Sequence, residues 1–378
     1  MTGGNDKVLS LKDFRHSLHR HPEIAGREVE TQRLIRSQLA ALPLEVLPPL
    51  IGTDTVAVLR GKRPGITVAL RADIDALPVE EKNGIDWKSE IPGMMHACGH
   101  DVHTAILLGA ARLLCREEFA GNIRFIWQPG EEKRAMAKHL VGAGVLDPVP
   151  DWIFALHVAP RLPFGQIACR AGTVAASSLH FAIEVKGQGG HGSMPHRART
   201  PIVPAAEIIL ELEKLRQREK GVTFSIGVLQ SGAVDNVIPD TARFGGTLRT
   251  FSQADCEKMQ ETFIAICAAT AKKYQIEVNF LPSPDFYPPA VNDAEAVEIV
   301  RQIAGKDYLA VPKPSMSSED FAYYLQKCRG AIFALGIGRH LPPLHNAGLL
   351  VPDEIIDKGS DLLRRLALAA LRRHVSAR

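Results

Sequence analysis

Three short apolar runs in this chain each lead into residues that bind metal ions well, and that recurrence constrains fold and chemistry together. Ile66-Thr67-Val68-Ala69-Leu70 lies upstream of Cys98-Gly99-His100. Ile123-Arg124-Phe125-Ile126-Trp127 leads into Gln128-Pro129-Gly130-Glu131-Glu132, and Trp152-Ile153-Phe154-Ala155-Leu156 runs into His157. Runs of this length and apolarity read as buried strands. Polar residues just past strand ends converge at one edge of a parallel sheet, where such folds place their sites. Together with His345, these clusters hold enough ligands for a pair of divalent ions, so a metal-dependent hydrolase is the reading to test.

At 378 residues the chain is too long for one ordinary core and is expected to form two domains. Apolar residues make up 46% and charged residues 23%, which fits a globular enzyme and excludes disorder. A net charge of +3, with no block of like charge, argues against nucleic acid as a partner. The leading residues Met1 to Lys7 lack the apolar segment of a signal peptide, and no apolar run is long enough to span a bilayer. The expectation is therefore a cytoplasmic protein with a small-molecule substrate and no membrane contact. Cysteines at 98, 115, 169, 256, 267 and 328 show no disulfide spacing. Cys98 stands apart because it lies between His96 and His100 beside a glycine, a chelating rather than a packing context.

Leu9, Phe14 and Leu18, then Leu34, Ile35 and Leu39, recur at helical spacing around an interruption at His21-Pro22-Glu23. Strand and helix alternate to about residue 170, with an apolar helix Val102 to Leu114 placed just after His100-Asp101. This alternation predicts an α/β fold with a mostly parallel sheet as the metal-binding catalytic domain. From about residue 176 the order becomes strand-helix-strand-strand-helix-strand, that of a ferredoxin-like α+β sandwich inserted as a second domain. The proline-rich stretch Pro282 to Pro289 reads as the hinge back. The catalytic domain is thus expected at residues 1–175 and 286–378, and the inserted domain at 176–285.

An unactivated amide is split by generating hydroxide near neutral pH and stabilising an oxyanion, and a two-metal site does both. Glu131-Glu132 divides the labour: one carboxylate binds metal while its neighbour reaches the metal-bound water as general base. Glu131, nearer the turn, is expected to be the base and Glu132 the ligand. The ordinary alternative is a pair of glutamates in the first turn of a helix, favoured by its dipole. His157 gains weight from its strand end, and His345 from the ordered loop suggested by Leu341-Pro342-Pro343-Leu344. Asp73 and Asp101 either orient ligand imidazoles from behind or cap helices. Zinc, cobalt and nickel suit Cys and His, and carboxylates admit manganese, so the metal is left open.

Seven motifs taken together resemble the M20 metallopeptidase family. They are Arg71-Ala72-Asp73-Ile74-Asp75-Ala76-Leu77-Pro78, Met95-His96-Ala97-Cys98-Gly99-His100-Asp101, Gln128-Pro129-Gly130-Glu131-Glu132, His157-Val158, Gly190-His191-Gly192-Ser193-Met194-Pro195-His196, Asn236-Val237-Ile238-Pro239 and Ser318-Glu319-Asp320-Phe321. They run in order along nearly the whole chain and point to the amidohydrolase branch, which includes hippurate, auxin-conjugate and N-acyl-amino-acid hydrolases. The resemblance implies two divalent metal ions held by Cys98, His100, Glu132, His157 and His345, with Glu131 as general base. It also implies that the inserted domain is a lid that forms a homodimer and carries His191 toward the substrate, with Asn236 and Arg249 binding the substrate carboxylate. Arg249, in Thr247-Leu248-Arg249-Thr250, has a plain alternative as a solvated strand residue.

The chain departs from the family at Lys133 to Lys138, where a Gly-rich stretch is usual, around Arg199 to Ile202, and at Ala347 to Pro352. These segments border the pocket rather than the metal set. The reading is hydrolysis of an N-acyl amino acid or a related small amide. The alternatives are a dipeptidase or aminopeptidase of the same fold, and a catalytically silent binding homologue.

Overall fold

The computed structural model describes residues 8–373; the leading segment Met1 to Lys7, read above for a signal peptide, lies outside them. The described chain packs into two compact units, one of residues 8–174, 291–313 and 320–373, the other of 175–290 and 314–319. No helix among the described residues is long and apolar enough to cross a membrane.

The first unit is built on an eight-stranded sheet whose four central strands, Ala120–Gln128, Arg63–Asp73, Trp152–Pro160 and Gly330–Gly338, run parallel in that order. Antiparallel strands flank them, Thr55–Arg60 on one side and Ile167–Cys169 on the other. The apolar runs are continuous because both faces are covered. Val68 and Leu70 join one core with Phe125, Trp127, Phe154 and the helices His100–Leu114 and Ile355–Leu371. Ala69, Ile126, Ile153 and Ala155 face the other way, into a core with Leu140, Phe321 and Tyr324. The period of two along each strand thus divides one run between two cores.

Two helices, Leu11–Arg20 and Val29–Leu39, stand where the first helical pattern was broken at His21-Pro22-Glu23. The helix expected from Val102 begins earlier, at His100 itself. Gly99 makes that start possible: it turns at φ 86°, and a Cβ there would lie 2.6 Å from Val158 Cγ2.

The second unit carries a four-stranded antiparallel sheet in the spatial order Val222–Ser231, Thr241–Thr250, Ser178–Lys186, Glu277–Tyr287. Helices Ile202–Arg218 and Gln253–Tyr274 connect the strands in the ferredoxin-like sequence and cover one core around Phe181, Phe244 and Phe263. The hinge read into Pro282 to Pro289 is instead mostly strand. Glu277–Tyr287 continues through it, pairing with Ser178–Lys186 across an irregularity between Pro282 and Phe286. An edge strand tolerates prolines because its outer N–H groups need no ladder partner.

Candidate metal centre

The proposed ligands come from the first turns of two helices (His100 and Glu132), from two turns of the chain (Cys98 and His345), and from within a strand, since His157 lies three residues before its strand ends rather than past the end as expected. His100 is the first residue of its helix, after Gly99; Glu131 and Glu132 open the short helix Glu131–Arg134, after Gly130 at φ 63°. His157 lies on the strand Trp152–Pro160. His345 takes a left-handed conformation at φ 65°, and its N–H donates to the Ala97 carbonyl at 2.8 Å, which fixes this loop beside Cys98. A non-glycine residue held there stores strain of the order of 1–3 kcal/mol, a cost met typically at functional sites.

The donors face one another closely. Cys98 Sγ stands 3.4 Å from His157 Nε2, His345 Nε2 lies 3.2 Å from Glu132 Oε1, and His100 Nε2 lies 3.9 Å from that same oxygen. Among the groups of described residues able to hold a cation, three overlap on these donors: Cys98, His100 and His157; Cys98, Glu132 and His345; His100, Glu131 and Glu132. Two donors bonded to one ion at about 2.0–2.3 Å stand roughly 3–4 Å apart, so these separations suit shared ions.

Tautomers follow from the outer hydrogen bonds. His157 Nδ1 is 2.8 Å from the Val158 carbonyl, and His100 Nδ1 is 2.9 Å from the Asp75 carbonyl. Both nitrogens must donate, which leaves each Nε2 lone pair aimed inward. His100 Nε2 is buried with no hydrogen-bond partner among the described residues, an arrangement that costs free energy unless a cation takes the lone pair.

Electrostatics point the same way. Burial, and then Glu132 and Glu131, push the Cys98 thiol well above its ordinary range. Burial disfavours charge on His100, yet Asp73 and Asp75 outweigh it and raise the imidazole to about 10. Burial also opposes charge on Glu132, but His345 and His100 hold that carboxyl at about 2. A cluster this rich in negative charge retains protons that a divalent cation would displace. The residues therefore fit a bound metal.

His103, one turn along the helix from His100, is excluded as a ligand although it groups with Asp73 and His100. Its Nε2 accepts the Val158 N–H at 2.9 Å, and its Nδ1 bonds Asp73 at 2.6 Å, so neither lone pair is available. Asp73 therefore holds His103 and Arg71 rather than a proposed ligand's ring, and Asp101 holds Arg15 and His19. The carboxylate that reaches a ligand imidazole is Asp75, which the sequence reading passed over inside a motif it quoted. Asp320 was missed likewise: it binds Arg71 and Gln128, and its N–H lies 3.4 Å from Glu131 Oε1. The i, i+3 spacing of His100 and His103 was the one available signal for His103.

In the second unit, His191 and Asn236 are brought together on a small ribbon, where His191 pairs with Val237 and the Gly192 N–H donates to the Asn236 carbonyl at 2.8 Å. Arg249 is half-buried, and its Nη1 donates to the Met316 carbonyl at 2.9 Å. It is not a freely solvated strand residue.

Residues 69–369 match Peptidase family M20/M25/M40. Thermostable carboxypeptidase 2 of Saccharolobus solfataricus is 35% identical over 93% of this chain and 94% of its own length. N-acetyl-L-cysteine deacetylase of Bacillus subtilis is 34% identical over 96% of this chain and 92% of its own. Among solved structures, the Bacillus subtilis YXEP protein, described as a dinuclear metal binding peptidase from the M20 family, superposes with a TM-score of 0.84 at 34% identity, covering 96% and 97% of the two chains. Converging chelators on a largely parallel sheet, a family match through most of the chain and full-length relatives of this kind lead to one conclusion: the chain belongs to peptidase family M20/M25/M40 and is a metal-dependent hydrolase.

Proposed function

We propose that this hydrolase removes the acyl group from an N-acyl amino acid or a closely similar small amide, using two divalent ions held by Cys98, His100, Glu132, His157 and His345. The observation that carries this reading is the set of inward, mutually close donors, with Glu131 beside them and not needed among the five ligands. Bound ions would acidify a water molecule and polarise the scissile carbonyl. Glu131, whose carboxylate lies against the Asp320 N–H, takes the proton of the attacking water and passes it to the nitrogen as the C–N bond breaks. The products are a carboxylic acid and the free amino acid.

Two relatives support the substrate class through their names, a carboxypeptidase and a deacetylase of N-acetyl-L-cysteine, since both names imply an amide next to a carboxylate-bearing amino acid. Arg249, with Asn236, is the proposed receiver of that carboxylate, because a guanidinium offers paired donors. The second unit is proposed as a lid and dimerisation domain whose His191 serves the substrate of a partner chain; a strictly monomeric active enzyme in solution would remove that part.

The reading is tested with a panel of N-acyl amino acids, their C-terminal amides, and dipeptides bearing a free amine. Acids should be turned over and amides not, and Arg249→Ala should raise KM for acids by about 10–100-fold, since a charge-assisted pair contributes about 1.5–3 kcal/mol. Amides cleaved as fast as acids would exclude the carboxylate site. Activity confined to free-amine dipeptides would favour a peptidase, and no turnover at full metal loading would favour a silent homologue.

A further inference from the structure

We propose that Asn83 is a positioning residue for His345, tying down the segment that follows this ligand and so holding one of the two ions; the role rests on the metal-site reading above. The stretch from Arg339 to Glu354, with His345 near its middle, belongs to no helix or strand. Its conformation must therefore come from contacts with other parts of the chain. Leu349 and Val351 within it are buried, where backbone groups need partners. Every second carbonyl from 347 to 351 finds one. That of Ala347 accepts the Lys82 N–H at 2.9 Å, that of Leu349 accepts from Asn83 Nδ2 at 3.1 Å, and that of Val351 accepts from Arg15 Nη1 at 2.7 Å. Lys82 contributes only its backbone, and Arg15 also serves Asp101 and Asp353. Asn83 commits its side-chain nitrogen to this joint, bonding Glu81 Oε1 at 2.9 Å as well as the Leu349 carbonyl. Both partners are acceptors, so the position calls for an amide nitrogen.

The anchor behind Asn83 is itself fixed. The Glu81 side chain is almost fully buried; Oε1 also meets His19 Nε2 at 3.1 Å, and Oε2 accepts the Ser89 N–H at 2.6 Å. Asn83 thus spans from an immobilised carboxylate to the chain that leaves His345. On its other side, His345 is held by its own N–H, bonded to the Ala97 carbonyl. A histidine at φ 65° relaxes to an ordinary backbone unless its surroundings hold it, so loosening either tie should move the ring. His345 belongs to the group with Cys98 and Glu132 and not to that of Cys98, His100 and His157. Weakening the joint should therefore release one ion and spare the other. Alanine at 83 removes the donors and leaves the Leu349 carbonyl without this partner. Aspartate keeps the size but sets an acceptor against a carboxylate and a carbonyl, and should be worse than alanine.

The experiment uses the full-length protein stripped of metal, with Co2+ titrated while visible absorption is followed. Wild type, Asn83→Ala, Asn83→Asp, His345→Ala and the double variant Asn83→Ala with His345→Ala are compared. The wild type should take up two equivalents. Asn83→Ala should keep the affinity of the first and bind the second about 10–100-fold more weakly, the range seen when groups supporting ligands are altered, and Asn83→Asp should lose more. In the His345→Ala background, Asn83→Ala should add nothing, because the two changes act through one contact. Wild-type binding by Asn83→Ala overturns the proposal. Equal weakening of both equivalents, or an effect that persists without His345, reduces Asn83 to a general prop of the fold and overturns it too. Should the Asn83 variants not fold, amide exchange in the metal-free wild type decides: slow exchange at Lys82 and His345 supports the joint, and fast exchange there overturns it. A wild type that binds no Co2+ contradicts the metal-site reading, and with it the role of Asn83, whereas the other failures leave that reading standing.

Discussion

Glu131 and Glu132 are neighbours in sequence but are expected to do different work, and the contacts of Glu132 argue for that division. Glu132 lies toward His345 and His100, whose positive charge holds it ionised against the cost of burial. Replacing it by Gln removes a charge that balances the cation, so Glu132→Gln should lose metal affinity before anything else. Glu131→Gln should keep its metal and lose about 10²–10⁴-fold in kcat, the usual contribution of a general base. Elemental analysis beside steady-state kinetics checks both, and equal metal loss in the two variants would refute the division. The sequence made the candidate donor residues legible because chelating types recur in short clusters along it. It left the supporting residues hidden: Asp75, Asp320 and Glu28 are carboxylates with no distinguishing spacing, and their roles depend on which backbone N–H groups the fold carries to them.

At the scale of elements, the helix Leu11–Arg20 is fastened to the helix His100–Leu114 by buried ionic contacts. Arg15 and His19 both bond Asp101 Oδ2, at 3.0 and 2.9 Å, and His19 also meets Glu81 at 3.1 Å. Burial opposes a charge on His19, but Asp101 and Glu81 overcome it and raise the imidazole to about 9. Because the folded pKa lies above the unfolded value of 6.5, this contribution is fully present below about pH 6.5 and is lost as pH rises through about 9. In metal-free protein, wild-type stability should fall across that window by on the order of 1.4 kcal/mol for each pH unit crossed, and His19→Gln should flatten the fall. Denaturant melts at several pH values measure it; parallel wild-type and variant profiles would contradict it. Periodicity revealed both helices, yet not this joint, since nothing in the spacing of Arg15 and His19 says which acid they meet. The same limit explains the hinge read into Pro282 to Pro289: prolines mark turns locally, whereas membership of a sheet edge is decided by the neighbouring strand.

For the molecule as a whole, the order of strands and helices was the most legible feature. Runs buried on both faces implied a parallel sheet, and the switch near residue 176 to half-exposed strands implied a different layer arrangement. The loop at His345 was the least legible, because its placement follows from a left-handed backbone and one bond to Ala97 rather than from any repeat. The central claim is that divalent ions gathered by five side chains of one chain are required for amide hydrolysis. It is tested most directly by removing metal with a chelator, then measuring bound metal and turnover of an N-acyl amino acid together as Zn2+, Mn2+, Co2+ or Ni2+ is returned. The account expects turnover to vanish with the metal and to recover in step with binding, reaching its plateau near two equivalents per chain. Undiminished turnover with bound metal below about a tenth of an equivalent would contradict it.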